Sequence, residues 1–472
     1  MNSAFAANPQ PAARADTVPI PAAELFEIVT ESIEAGRLDR AERLLGHVLA
    51  VAPRAADALH LQGLIAFRRK RAEQAADLME RGIAAGGRRA AHYRNLSEVY
   101  RHLGRLDEAL SLARRAVAME PADPLGPFNL AMVHYERMEL EPCIAAARHA
   151  LQLRPDLPQA HMKLGQALLA AGDFPLGWKH YEWRYQIPGA APLMPPTERK
   201  QWDGGDLGGR ALLLIADQGY GDVVMFVRLV AWARARVPCI MIACSTEMAP
   251  LLTRMFPGMP IFTRWDNLPD YLAYLPFSGL PRLHGTTLET IPAMVPYITP
   301  DPARQASWTA RLAALLPAGS RRVGLAWAGR PTHNNDHSRS VALATLAPLA
   351  ATQGVVFVAL QKGEPAAQVA DWPGPAPLVD LGPLLDDFED TVAVLSRLDL
   401  LVSVDTAVAH FGGAMGVPTW VMLPYAADWR WLKDRTTSPW YPGTRLFRPP
   451  AVRRWDVVVA EAAAALSERF GS

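Results

Sequence analysis

Cysteine is scarce in this chain. Cys143, Cys239 and Cys244 are the only three in 472 residues, an odd number with no C-x-x-C pair. That excludes a disulfide framework and a zinc cage, and favours buried free thiols. An excess of charge of either sign is missing too: 48 Lys and Arg face 47 Asp and Glu, and a net formal charge of +1 gives no electrostatic footprint for nucleic acid or an acidic membrane. No stretch approaches the roughly 20 apolar residues that span a bilayer. The opening MNSAFAANPQPAARADTVPIPAA lacks a basic start followed by an apolar core. A cytoplasmic protein is expected, with a short disordered leader over 1–20, no membrane span and no nucleic-acid partner. The sequence also holds no GxxxxGK[ST] phosphate loop, no GxSxG elbow and no HExxH helix. His333 and His337 flank Asp336 in a polar stretch, but two loop histidines do not make a metal site, so no metal and no resident cofactor is assigned.

What is present begins with a repeat. A chain this long exceeds one hydrophobic core, so two or three units are expected. Gly36, Lys70, Gly104, Met138 and Gly172 recur every 34 residues, as do Ala41, Ala75, Ala109, Cys143 and Gly177. The pattern describes stacked helix hairpins. The first position turns the chain between helices, and the second admits a neighbouring helix closely. The copy from Tyr93 to Asp123 resembles the tetratricopeptide repeat, and the rhythm runs from near Ala22 to near Tyr185. Stacked hairpins form a concave groove that commonly takes a peptide or protein. The last copy drifts at GWKHYEWRY, where Trp178, Tyr181, Trp183 and Tyr185 add aromatic bulk; they are expected to seal the array onto the domain beyond it.

Residues 188–208 are rich in proline, glycine and charge, a composition that opposes helix and strand alike and predicts a linker. Beyond it, short apolar runs alternate with helical stretches. Such runs read as strands buried on both faces of a parallel sheet. Two doubly wound halves are predicted, 209–316 and 317–472, with a ligand between them off the carboxyl ends of the strands.

Two stretches carry candidate chemistry. LLLIADQGYGDVVMF predicts a strand to Asp217, a turn containing Gly219 and Gly221, and a helix from about Val223, so that backbone N–H groups and a helix end meet an anion. Asp222 is either a helix cap or a working carboxylate. In LVSVDTAVAHFGG a strand runs into Asp405 and Thr406, and a helix begins near Ala407 with His410 in its first turn. Asp405 is placed to accept sugar hydroxyls, and Thr406 with the N–H groups after it to hold a diphosphate. Alternatively these residues cap the helix and His410 is a satisfied buried histidine. Arg339, in a polar loop before a helix, and Lys362, just beyond a strand, fall on the same rim.

Taken together, DQGYGDVVMFVRLV, GLAWAGRPTHNNDHSRSVAL, VALQKGE, the stretch from Asp386 to Trp431 and SPWYP resemble bacterial proteins that join tetratricopeptide repeats to a glycosyltransferase family nine domain, the family of lipopolysaccharide heptosyltransferases. The resemblance spans roughly Gly208 to Phe447. It implies a GT-B fold of two Rossmann-like halves, with the acceptor on the first and the nucleotide-sugar donor on the second. It further implies inverting transfer without a divalent metal, with Asp222 as general base and Asp405, Thr406 and His410 at the donor sugar and diphosphate. Ala407 stands where many relatives have glycine, and Arg339 where heptosyltransferases have lysine, which leaves the donor sugar open. The acceptor, a protein, peptide or glycan, would be selected with help from the repeats. Two rival readings stand beside this one. The first is a non-catalytic repeat scaffold with a GT-B nucleotide-binding module. The second is a nicotinamide-dependent oxidoreductase built on Gly219-x-Gly221, with Glu247 as its ribose-binding acid.

Overall fold

A computed structural model describes residues 21–189, 197–266, 268–332, 335–372 and 374–471. The leader over 1–20 and His333 lie outside these residues. The chain divides into two compact units, one ending at Pro121 and the other beginning at Ala122.

The first unit is three helix hairpins: α1 (Ala22–Glu34) with α2 (Leu38–Val51), α3 (Ala56–Arg68) with α4 (Ala72–Ala84), and α5 (Ala90–Leu103) with α6 (Leu106–Met119). Each turn needs one left-handed residue. Gly36, Lys70 and Gly104 supply it, with φ of 72°, 61° and 78°. Ala41, Ala75 and Ala109 are wholly buried at the close helix contacts.

The second unit opens with two more hairpins, α7 (Leu125–Glu136) with α8 (Leu140–Leu153), and α9 (Pro158–Ala171) with α10 (Phe174–Tyr181). Met138 and Gly172 make their left-handed turns. A Cβ added to Gly177 would lie 2.6 Å from the Leu169 side chain, so α10 packs there only because the position is bare.

Two parallel sheets follow. The first, ordered β1-β5-β2-β3-β4, comprises β1 (Lys200–Gln201), β2 (Leu212–Ile215), β3 (Ile240–Ala243), β4 (Ile261–Phe262) and β5 (Ala273–Pro276). The second, ordered β11-β10-β9-β6-β7-β8, comprises β6 (Arg321–Ala326), β7 (Val355–Ala359), β8 (Leu378–Asp380), β9 (Leu400–Val404), β10 (Thr419–Met422) and β11 (Thr444–Phe447). Strands β2 and β7 are apolar on both faces and β9 is apolar but for Ser403, and all three are buried throughout, as sheets covered by helices on both sides require.

Two boundaries differ from the sequence expectation. The stretch 188–208 is not strandless: Lys200 and Gln201 pair with Ala273 and Tyr274 as an edge strand, anchored by the buried Trp202. The helix Pro302–Leu315 was expected with the first half, yet it packs on Phe388–Leu395 of the second. There the Trp308 indole donates to Asp390 at 2.8 Å and Arg304 pairs with Asp387 and Asp390. Its amphipathic pattern predicts a helix but cannot choose between two sheets.

Candidate functional site

In the second sheet the chain runs outward from β6 through β7 to β8, then returns to β9 on the other side of β6. That reversal opens a crevice at the carboxyl ends of β6 and β9, where ligands bind in doubly wound sheets. Asp405 leaves β9 at this point, and Arg339 follows β6. The Arg339 guanidinium donates from Nη1 to the Asp405 carbonyl at 3.3 Å, and its Nε is buried without a hydrogen-bond partner. Gly329 makes this possible, because a Cβ there would sit 2.5 Å from the guanidinium.

Thr406 is the N-cap of α12 (Ala407–Ala414), but no side chain caps the helix: the Thr406 hydroxyl meets Ser403 Oγ at 3.0 Å instead. Among the described residues no side chain accepts from the first N–H groups of the helix, and the Ala409 N–H bonds the Thr406 carbonyl. His410 is buried inside α12, its Nδ1 2.9 Å from the Tyr441 hydroxyl and its Nε2 3.9 Å from Asp405. Burial, reinforced by Arg430, lowers its pKa to about 3, so the ring is neutral. Burial and the nearby Asp428 push the Asp405 carboxyl upward. Lys362 lies beyond β7 on the same rim, but its ammonium is turned to the Leu385 carbonyl.

The first sheet reverses likewise between β2 and β5, and Asp217 after β2 accepts from the backbone and hydroxyl of Ser278 and from the Tyr185 hydroxyl. The helix after this turn, α11 (Tyr220–Phe226), begins three residues earlier than expected. Its N-cap is Gly219, and Asp222 reaches back so that Oδ2 accepts the Gly219 N–H at 3.1 Å. Asp222 is therefore a capping carboxylate by geometry, and the Gly219 N–H is engaged by Asp222 rather than offered to an anion. Neither glycine carries a left-handed backbone; Gln218 does, at φ 64°. Gly221 serves a different need. A Cβ there would lie 2.6 Å from His410 Cδ2, so this bare position lets α11 and α12 pack across the two halves.

Sequence reasoning missed Arg430, in the short turn Trp429–Trp431. It is buried, ion-paired with Asp222 through Nη2 and with Asp428 through Nη1 at 2.6 Å. Asp222 thus sits where both halves meet, its side chain 14 % exposed. Burial pushes its carboxyl upward and Arg430 pulls it back. The structure links the expected residues by contacts, Asp222 to Gly219, Gly221 to His410, and both His410 and Arg339 to Asp405, with Thr406 and Ala407 next in the chain, whereas Lys362 is turned to the Leu385 carbonyl. A separate pocket of about 420 Å³ opens at the carboxyl edge of the first sheet, lined by Tyr185, Gln218, Thr263, Arg264 and Trp265 among others.

Among the described residues no His, Cys, Asp or Glu cluster is disposed to hold a metal, and no helix is long and apolar enough to cross a membrane.

Residues 27–88 and 71–127 match the tetratricopeptide repeat family. Protein FlbA of Caulobacter vibrioides is 28% identical over 433 residues, which cover 84% of this chain and 70% of FlbA. Among solved structures, MamA (18% identity, 33% of this chain and 91% of MamA, TM-score 0.30) and the Pseudomonas aeruginosa protein pilF (14% identity, 50% of this chain and 92% of pilF, TM-score 0.35) are similar. So is YrrB, a TPR protein with an unusual peptide-binding site (18% identity, 36% of this chain and 87% of YrrB, TM-score 0.30). The N-terminal region of the chain is built of tetratricopeptide repeats, and a parallel α/β region comes after it.

Proposed function

We propose that the α/β region is a GT-B-like pair of halves. In this reading it transfers a sugar from a nucleotide-sugar donor to a hydroxyl acceptor, with inversion and without a divalent metal. The observation that carries this reading is the packing of α11, which bears Asp222, against α12 of the other half through the Gly221–His410 contact. Asp222 takes the proton of the acceptor hydroxyl as the oxygen forms its bond to the anomeric carbon. The bond from that carbon to the phosphate oxygen breaks, and its electron pair leaves with the diphosphate. A carboxyl raised by burial suits a general base working near neutral pH, a role that contributes typically about 10²–10⁴-fold. Arg339 and the uncapped N–H groups of α12 offset the charge growing on the departing phosphate. Asp405 lies beside them as the acceptor for sugar hydroxyls. The neutral His410 holds the cleft in register rather than moving a proton. The repeats would present the protein, peptide or glycan acceptor.

One observation favours a second reading, a repeat scaffold with a nucleotide-binding module and no turnover: both Asp222 oxygens are already engaged, one by Gly219 and one by Arg430. The nicotinamide reading loses its footing, since the Gly219 N–H is closed off by Asp222.

A thermal-shift panel tests the donor site. A nucleotide sugar at 100 times its dissociation constant adds about 2.7 kcal/mol of stability. The expected result is a shift with one nucleotide-sugar class, largely lost in Arg339→Ala, and none with nicotinamide cofactors. A panel in which no nucleotide sugar shifts the protein contradicts the proposal.

A further inference from the structure

Arg430 is a buried cation to which the proposed reaction gives no role. Its guanidinium is buried, stacks on the Trp429 ring at 4.3 Å, and bonds one carboxylate from each half, Asp222 and Asp428. A buried guanidinium bonded to two carboxylates is held in place, because moving it away would leave both carboxylates without their cation. The holding part comes from the last repeat. Tyr181, at the end of α10, is buried and accepts from Arg430 Nη2 at 3.5 Å while donating to Gln218 Oε1 at 3.0 Å. Gln218 is the residue with the left-handed backbone in the turn that sets the direction of α11. One phenol therefore touches the cation on Asp222 and the turn that aims Asp222.

The neighbouring rings fix that phenol. Trp178 packs edge-on to Trp429 at 5.3 Å and Tyr181 to Trp429 at 5.6 Å, while the Trp178 indole donates to the Thr286 carbonyl at 2.9 Å. The Lys433 N–H bonds the Ala170 carbonyl of α9, which pins the segment carrying Arg430 to the same hairpin.

Resting on the assignment of Asp222 as the base, we propose that Arg430 is its positioning residue, and that the last repeat hairpin, through Tyr181, holds Arg430 and the Gln218 turn in register. The repeats are then part of the site's construction as well as a platform for the acceptor. The charged and titratable groups around Asp222 are Arg430 and Asp428 from the Trp429–Trp431 turn, Asp217 from the end of β2 and Tyr181 from α10, and His410 from α12 packs on the adjacent Gly221. His410 is neutral and the Tyr181 hydroxyl is protonated at ordinary pH. Arg430 is therefore the only cation of this group to hold Asp222 ionised and pointed.

The test is a carboxyl ¹³C titration of the full chain by NMR, with the Asp222 resonance assigned by its loss in Asp222→Asn. The parent, Arg430→Lys, Arg430→Gln and Tyr181→Phe are compared. Removing a facing cation moves a carboxyl by about 1–3 pH units. The midpoint of Asp222 should therefore rise by at least tenfold in proton affinity in Arg430→Gln, and Arg430→Lys should restore it to within about threefold. A structural role alone would not track charge in this way. Tyr181→Phe keeps the ring packing and removes the hydroxyl; it should raise the midpoint by about twofold or more. An Asp222 midpoint that is the same in Arg430→Gln and the parent overturns the proposal. If Arg430→Gln does not fold, an unchanged midpoint in Tyr181→Phe overturns it instead. The titration reads the Arg430–Asp222 coupling without any sugar transfer, so it can fail while Asp222 proves to be the base, and succeed while it does not.

Discussion

Gly221 shows how a sequence motif and its structural reason can differ. The two glycines before Asp222 read as a cradle for phosphate, yet one is bare so that a histidine can fit beneath it and the other has its N–H closed by Asp222. Gly221→Ala is expected to cost about 1–3 kcal/mol by overpacking. Thermal unfolding checks this, and Gly221→Ala combined with His410→Ala should cost less than the two changes summed. His410 also makes an acid-sensitive joint. Its folded pKa of about 3 lies below the ordinary 6.5, so the folded state binds fewer protons and stability drops as pH falls from 6.5 toward 3. Asp405, raised by burial, works in the opposite sense. His410→Gln should therefore show a shallower fall in Tm from pH 6.5 to 4 than the parent; an unchanged slope would contradict the neutral, buried assignment. Asp405 and Thr406 stand out in the sequence because they follow a strand at a turn, and Asp222 and His410 because they lie in the first turn of the helix beyond one, whereas Arg339, expected in a loop, closes the short helix Asp336–Arg339. Arg430 was not legible, because its partner Asp222 is 208 residues away and the stretch DWRW announces only the local pair of Asp428 with Arg430.

At the scale of elements the repeat was the most legible feature, since a step of 34 residues survives substitution at individual positions. Lys70 and Met138 occupy turn sites whose counterparts are glycine, and both still adopt the left-handed backbone. Lys70 is exposed and contributes no packing there, so Lys70→Gly should raise stability by up to about 1 kcal/mol, measured by denaturant unfolding. Met138 is buried, and there the same change would lose core contacts. The aromatic run at the end of the array was expected as a docking face. Trp178 and Tyr181 do dock, buried against Trp429, and Tyr185 docks through its hydroxyl on Asp217 at the end of β2, whereas Trp183 stacks on His161 at 3.9 Å. The same helical spacing serves three ends because spacing reports only which side of a helix a residue occupies. Strand β1 and the helix Pro302–Leu315 escaped for related reasons. A two-residue edge strand leaves no periodicity to read, and an apolar stripe does not name the sheet it will cover.

For the whole molecule, strand order decides more than composition does. A net charge of +1 names no partner, whereas the reversal between β6 and β9 brings Asp405 and Arg339 together, and the packing of α11 on α12 brings the Asp222 turn to the other half. Alternating apolar runs and helices announced parallel sheets, whereas the partner of each strand is set by contacts far apart in sequence. The arrangement that results is a carboxylate from one half, on a helix packed against the helix that follows β9, paired with an arginine from the other. The most direct test of that arrangement as a glycosyltransferase is turnover against a panel of nucleotide sugars and hydroxyl acceptors, read by mass, for the parent and Asp222→Asn. The account predicts a sugar-sized mass gain with one donor class in the parent, and a loss of at least about 100-fold in Asp222→Asn with donor binding retained. Equal rates in the two proteins, or no transfer by a parent that binds the donor, would contradict it.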